Sequence, residues 1–138
     1  MFRNSSEVKN IIVVGCGRLG AHIANMMYDK GLDVTIIDKD SDAFRKLSLS
    51  FGGEIIEGDA LDLDIYDELK ISPDDVFIIV TNKDNTNIMV SQLLKDMYHV
   101  KNIVCRIYDI DRSCVYEELG IQTICPTQLA SKKIEELI

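Results

Sequence analysis

Gly15, Gly17 and Gly20 stand in the run Ile11-Ile12-Val13-Val14-Gly15-Cys16-Gly17-Arg18-Leu19-Gly20, and Asp38 follows the last of them by eighteen residues. A glycine turn that leaves an apolar strand and opens a helix is suited to phosphate. Gly15 permits the tight turn, Gly17 lacks a Cβ so that a pyrophosphate can approach the backbone, and Gly20 lets the helix pack close to the sheet. The unpaired N–H groups and the dipole at the helix start attract the anion. Asp38 closes a second apolar run, Val34-Thr35-Ile36-Ile37. There it is placed to accept hydrogen bonds from the two adenosine ribose hydroxyls, and a 2′-phosphate would meet like charge, which disfavours NADP. Strand, glycine turn, helix, strand and acid follow the order of a dinucleotide-binding βαβ unit. The alternative is a tight turn in some other α/β fold, with Asp38 a solvated strand-end carboxylate.

Ligands of open α/β sheets lie at the carboxyl ends of the strands. Reading those ends gives the candidate site: Gly15, Cys16, Gly17, Arg18, Leu19 and Gly20 after the first strand, and Asp38 and Lys39 after the second. Gly58, Asp59 and Ala60 follow the third, Thr81 and Asn82 the fourth, and Arg106 ends the fifth. Asp59 and Ala60 are placed to border adenine, with Asp59 or nearby backbone reading its edge. Thr81 and Asn82 are placed at the pyrophosphate or the second nucleoside. Arg18 and Arg106 are the cationic candidates for phosphate, since a guanidinium binds phosphate oxygens bidentately; the alternative for each is a surface or inter-subunit ion pair.

Catalytic candidates are few. His22 lies on the first helix and His99 at the end of the fourth, where a cation favours the dipole. Tyr66-Asp67-Glu68-Leu69-Lys70 matches a Y-x-x-x-K spacing, yet no serine sits at the matching upstream offset, and it reads as chance on an exposed helix. No G-x-S-x-G elbow, H-E-x-x-H or Walker A sequence occurs. No catalytic residue and no metal site is assigned. No second domain is seen that would cover a nicotinamide and exclude water.

The elements that must position these residues alternate along the chain. Strands are expected at Ile11–Gly15, Asp33–Ile37, Glu54–Glu57, Val76–Thr81, Asn102–Ile107 and Gln122–Cys125. Helices are expected at Arg18–Lys30, Ser41–Phe51, Asp62–Leu69, Asn85–Tyr98, Arg112–Leu119 and Gln128–Leu137, with Met1 to Asn10 a polar lead-in. Gly31, Gly52-Gly53 and Gly120 read as helix ends. The continuously apolar runs Ile11–Val14 and Val76–Val80 fit strands buried on both faces. This is an α/β chain: a Rossmann-like, doubly wound, six-stranded parallel sheet with helices on both faces. The last helix carries an apolar stripe of Ala130, Ile134, Leu137 and Ile138, which either covers the chain's own sheet or meets a second copy.

The 138 residues suit a single domain. A net charge of −8 argues against nucleic acid or an anionic membrane surface as partner. An anionic nucleotide must then be held locally, by helix N-termini and a few arginines. No stretch is long and apolar enough to span a bilayer and no signal-peptide layout is present, so a membrane role would act through a partner. Cys16, Cys105, Cys114 and Cys125 form no C-x-x-C pair or zinc-like spacing, which fits a reducing cytoplasm. Cys105 and Cys125 read as buried hydrophobes, whereas Cys16, inside the glycine turn, is either a small filler or a redox-sensitive thiol.

The sequence resembles the N-terminal domain of regulators of potassium conductance, the TrkA-N or RCK domain of Trk/Ktr-type uptake systems. The matching pieces are G-C-G-R-L-G at Gly15 to Gly20, I-I-D at Ile36 to Asp38, G-D-A at Gly58 to Ala60 and T-N-K-D-N-T-N at Thr81 to Asn87. Later pieces are C-R-I at Cys105 to Ile107, E-L-G-I at Glu118 to Ile121 and C-P-T-Q-L-A at Cys125 to Ala130. The resemblance implies a cytosolic regulatory subunit that binds NAD(H), ATP, ADP or AMP, pairs or forms a ring, and gates a potassium channel or transporter. It implies Asp38 on the ribose, Gly17 to Gly20 on the phosphates, Asp59 and Ala60 at adenine, and Arg18 at a phosphate of its own or a neighbouring subunit. The helix from Thr127 becomes a crossover element that makes the dimer. Many family chains continue into a C-terminal lobe; residues 1–138 are expected to be the nucleotide domain alone. Asn85 stands where the family often has an acid. Two other readings compete: a small NAD-dependent oxidoreductase, and a redox sensor using NADH and Cys16.

Overall fold

The computed structural model of the protein describes residues 10–138, without the side chains of residues 113–115. Of the expected lead-in only Asn10 falls within that range, and the side chain of Cys114 lies outside it. The elements run β1 Ile11–Val14, α1 Arg18–Asp29, β2 Val34–Asp38, a 3-10 helix Ser41–Lys46, β3 Glu54–Glu57, α2 Leu63–Leu69 and β4 Val76–Ile79. They continue with α3 Asp84–Tyr98, β5 Asn102–Arg106, α4 Ile110–Glu117, β6 Gln122–Ile124 and α5 Pro126–Leu137. The six strands form one parallel sheet in the order β3-β2-β1-β4-β5-β6. The order reverses between β1 and β4, so connections leave toward opposite faces and a crevice opens above the carboxyl ends there.

Alternation along the strands builds two cores. Ile11, Val13, Val34, Ile36, Val76 and Ile78 face one side, where Ala21, Ala24 and Met27 of α1 and Ala43 of the 3-10 helix cover them. Ile12, Val14, Ile37, Phe77, Ile79 and Cys105 face the other, against Tyr66 of α2 and Ile88 and Leu94 of α3. β1 and β4 are buried at every position, as their apolar runs require. The Y-x-x-x-K segment lies on α2, where Asp67 and Glu68 are exposed as expected but Tyr66 is fully buried.

The helix expected over Ser41–Phe51 is replaced by a 3-10 helix that stops at Lys46, and Leu47 is extended (φ −71°, ψ 144°). Asp40 caps it through Asp42 N–H at 3.0 Å. Beyond it, Ser48 N–H turns to Asn25 Oδ1 at 3.0 Å and Leu49 is fully exposed, so no helical ladder continues to Phe51. The apolar spacing of Phe44, Leu47 and Phe51 marks residues that pack on the α1 side from the 3-10 helix and the loop after it, with Phe51 against the Tyr28 ring. Gly52-Gly53 therefore ends no helix. α5 begins at Pro126, earlier than expected, and buries none of its residues. Leu129, Ile134, Leu137 and Ile138 are all exposed, so α5 does not cover the sheet of its own chain.

The turn from β1 to α1 is the tightest packing in this frame. Gly15 has φ +107°, and a Cβ at Gly20 would lie 1.8 Å from the Gly15 carbonyl oxygen. Gly20→Ala is therefore expected to cost about 3 kcal/mol or more, seen as a lowered urea midpoint. A loss below about 1 kcal/mol would show that the turn relaxes freely.

Candidate functional site

A cleft of about 450 Å³ opens above the switch point. Gly15, Cys16, Gly17, Asp38, Lys39, Gly58, Asp59, Ala60, Thr81, Asn82 and Arg106 line it, as the sequence led one to expect. Arg18, Leu19 and Gly20 do not. Arg18 starts α1 with its side chain exposed, Leu19 is half-buried against the α1 core, and Gly20 is buried beneath the turn. Lys46, Asp40, Ala43 and Leu61 join the lining without having been expected there, as do Lys83 and Thr86, which the sequence placed only in the segment after the fourth strand. Lys46 was hidden by the expected long helix: the short 3-10 helix instead brings its Nζ to 3.4 Å from the Cys16 carbonyl oxygen.

Gly17 differs from its two neighbours. A Cβ at Gly15 would meet Thr81 N at 2.8 Å, and one at Gly20 would strike backbone, but among the described residues nothing lies within 4 Å of a Cβ at Gly17. Its φ of −77° is open to any residue. The protein itself thus has no steric need for glycine there, and the free space lies at the N-terminus of α1, whose first turn carries no acid.

Asp38 braces the turn from below. Its Oδ2 accepts from Cys16 N–H at 2.7 Å and its Oδ1 from Asp40 N–H at 2.9 Å. Each oxygen keeps a second lone pair for an outside donor. Cys16 is fully buried and its Sγ donates to Ala43 O at 3.4 Å. Burial first, then the Asp38 charge, pushes its thiol up to about 11 against a smaller opposing pull from Lys46. A buried thiol that stays protonated at neutral pH is a poor nucleophile, which favours the small-filler reading of Cys16 over the redox-sensitive one.

The far side of the cleft hangs on Asn87, buried at the start of α3. Its Oδ1 accepts from Thr81 N–H (3.0 Å) and Thr81 Oγ1 (2.5 Å), and its Nδ2 donates to Thr81 O (3.0 Å) and Arg106 O (2.9 Å). Every donor and acceptor of the amide is used, and the ends of β4 and β5 are clamped together. Arg106 is 9% exposed, and its Nη2 donates to Val80 O at 2.7 Å and Thr81 O at 3.0 Å. Its guanidinium sits 4.8 Å from the Tyr108 ring centroid. Its Nε is buried without a partner, and no carboxylate among the described residues pairs with it. Neither a surface nor an ion-paired arginine, it is a buried cation with a desolvation cost that an anion in the cleft would offset. Nearby, Asp84 ties the β5–α4 loop by accepting from Tyr108 and Asp109 N–H.

No histidine or tyrosine among the described residues lines the cleft. His22 and His99 are exposed and outside the lining, with His99 capping α3 at φ 57°. Tyr66 donates to Ala60 O at 2.5 Å, and burial pushes its phenol above its ordinary range. Among the described residues no His/Cys/Asp/Glu cluster could hold a metal, and no helix is long and apolar enough to cross a membrane.

The TrkA-N domain family matches residues 11–126. The Trk system potassium uptake protein TrkA of Streptomyces coelicolor is 38% identical over 115 residues, which are 83% of this chain and 52% of that protein. This chain spans about half the length of the curated relatives it matches. Among solved structures, the TrkA-N domain of the inner membrane protein ybaL from Escherichia coli has a TM-score of 0.81 at 16% identity, covering 95% of this chain and 97% of that one. The Shewanella denitrificans Kef C-terminal domain in AMP-bound form has a TM-score of 0.75 at 19% identity, covering 91% and 76%. At such identities the structures show a shared fold.

Two outcomes follow from this geometry. Asn87→Ala leaves Arg106 O and Thr81 N–H without their partner and is expected to cost about 2–4 kcal/mol by urea denaturation; a cost near zero would mean that the clamp is dispensable. The second concerns alkaline pH. Burial also raises Cys105 to about 11, so the folded state keeps two thiol protons that the unfolded chain releases above about 9. The stabilisation is complete below pH 9 and falls as pH rises toward 11, by roughly 2–3 kcal/mol per thiol. Urea midpoints at pH 8 and 10.5 measure it, and Cys16→Ala is expected to shallow the loss; an equally steep loss in that variant would exclude Cys16 as its source.

Proposed function

Because the chain belongs to the TrkA-N domain family, we propose that it is a nucleotide-binding regulatory element of potassium transport and not an enzyme. The observation that carries the nucleotide reading is the open space at Gly17, a glycine that no contact among the described residues requires. A phosphate there meets the N-terminus of α1. Asp38 then stands at the ribose, Ala60 and Leu61 at the base, and Lys46, Lys83 and Arg106 within reach of further phosphates. The ligand is NAD(H) or an adenine mononucleotide, ATP, ADP or AMP; the AMP held by the Kef domain of like fold supports the class.

The regulatory reading draws on the relatives, which are named as potassium uptake proteins. The partner is a membrane channel or transporter subunit, met in the cytoplasm. The exposed apolar residues of α5 supply a surface for a second copy, giving a dimer or a larger ring. A ligand moves such an assembly only by the difference in its affinity for the two states. The oxidoreductase alternative has the fold in its favour, but fold does not carry function. It needs a general acid or base beside the nicotinamide, and the described lining residues include no histidine or tyrosine.

Thermal shift with NAD, NADH, NADPH, ATP, ADP and AMP tests the reading. A ligand at about a hundred times its Kd adds roughly 2.7 kcal/mol, so one or more nucleotides without a 2′-phosphate should raise Tm while NADPH does not. Gly17→Ala should leave the unliganded Tm unchanged and weaken that ligand by about tenfold or more. No shift with any nucleotide, or full binding by Gly17→Ala, would mean that the turn is purely structural. Turnover of NADH with a small carbonyl would favour the oxidoreductase.

A further inference from the structure

We infer that Tyr66 is a positioning residue for the base-side wall of the cleft, acting through the peptide unit that joins Ala60 to Leu61. The inference rests on the nucleotide reading above and adds what shapes that wall. Tyr66 reaches up from α2, fully buried, and its hydroxyl donates to Ala60 O at 2.5 Å. On the other end of the same peptide unit, Leu61 N–H donates to Asp59 Oδ1 at 2.9 Å. The carbonyl and the N–H of one peptide share a plane, so holding both fixes its tilt. Ala60 and Leu61 both line the cleft.

The tyrosine is itself held. Its ring meets Phe77 of β4 edge-on at 6.2 Å and Tyr98 of α3 at 6.4 Å. A phenol is protonated at neutral pH, and burial pushes this one further in the same direction, so it remains a donor. With both polar groups of the peptide occupied, the wall offers the base the apolar surfaces of Ala60 and Leu61 in a fixed plane. That suits a flat aromatic ring held by packing. The edge of adenine is not read by Leu61 N–H, which is already bonded to Asp59.

Tyr66→Phe keeps the ring and removes one oxygen. The test measures AMP and ribose 5-phosphate binding to the full chain, and amide exchange at Leu61. The variant should exchange Leu61 faster and bind AMP about fivefold more weakly, with ribose 5-phosphate, which lacks the base, unchanged. Equal weakening of both ligands would reduce Tyr66 to general packing, and unchanged AMP binding would overturn the proposal. Fast exchange of Leu61 in the wild-type chain would overturn it with no variant at all. A wild-type chain that binds no adenine nucleotide would instead refute the nucleotide reading, leaving the exchange measurement to judge the peptide lock alone.

Discussion

The contact of Gly20 with the Gly15 carbonyl is the constraint on which the site depends. α1 can start immediately above the sheet only because no Cβ stands between them. Gly15 in turn lies against Thr81 N at the end of β4, and Thr81 is held by Asn87, which also holds the carbonyl of Arg106. One line of contacts thus joins α1, β1, β4, α3 and β5 across the floor of the cleft. Asp38 fixes the near end by binding the turn's backbone at Cys16. Most of these polar groups are buried or nearly so, where an unmade hydrogen bond costs far more than a made one gains. The floor is therefore rigid before any ligand arrives.

An acidic protein that binds an anion must separate its local field from its overall charge. The net charge is −8, yet Lys39, Lys46, Lys83 and Arg106 all line the cleft. At physiological salt, charges more than about 8 Å from a phosphate are largely screened, so the lining decides and the distant carboxylates do not. Asp38, Asp40 and Asp59 remain in the lining, and hydrogen bonds from backbone N–H groups occupy one oxygen or more of each. These carboxylates organise the backbone and are partly neutralised by it, which limits their repulsion of phosphate.

The parts of the fold that follow from periodicity were legible in the sequence. β1 and β4 are buried on both faces and read as unbroken apolar runs, and β3 lies at Glu54–Glu57 as expected. The glycine turn and Asp38 were legible because Gly15, Gly20 and Asp38 each answer a backbone demand, while Gly17 answers to the space above α1. The missed features depend on where side chains point once regular structure ends. Lys46 faces the cleft only because the helix over Ser41 stops early. Arg18 turns to solvent because the first residue of α1 projects away from the sheet. Asn87 sat in a quoted motif, T-N-K-D-N-T-N, but its role as a clamp depends on β5 being a neighbour of β4, which no local pattern states. Tyr66 matched a catalytic spacing and belongs to the core: α2 ends at Leu69, and Lys70, its left-handed C-cap at φ 52°, lies beyond the helical face that Tyr66 shares with i+4 positions.

Two features of the chain remain unbalanced within its own boundaries, and they lie on adjoining structure. Arg106 is a buried cation with no carboxylate partner among the described residues, and α5 is an amphipathic helix with no buried residue. Arg106 pairs in register with Ile124 of β6, and Ile107 N–H donates to Ile124 O at 2.9 Å. Cys125, the N-cap of α5, donates through its Sγ to the carbonyl of Tyr108, whose ring underlies the Arg106 guanidinium. On the proposed reading, an anion in the cleft would relieve the first imbalance and a second copy on α5 would relieve the second. In the proposed assembly, a shift of Arg106 toward a phosphate bears on the strand and loop that aim α5. The size of any response is bounded by the difference in ligand affinity between the two arrangements. Occupancy alone, however tight, moves nothing. A regulator built this way needs no catalytic group in its cleft; it needs a cleft floor stiff enough that ligand contacts are passed to α5 and not absorbed beneath the nucleotide.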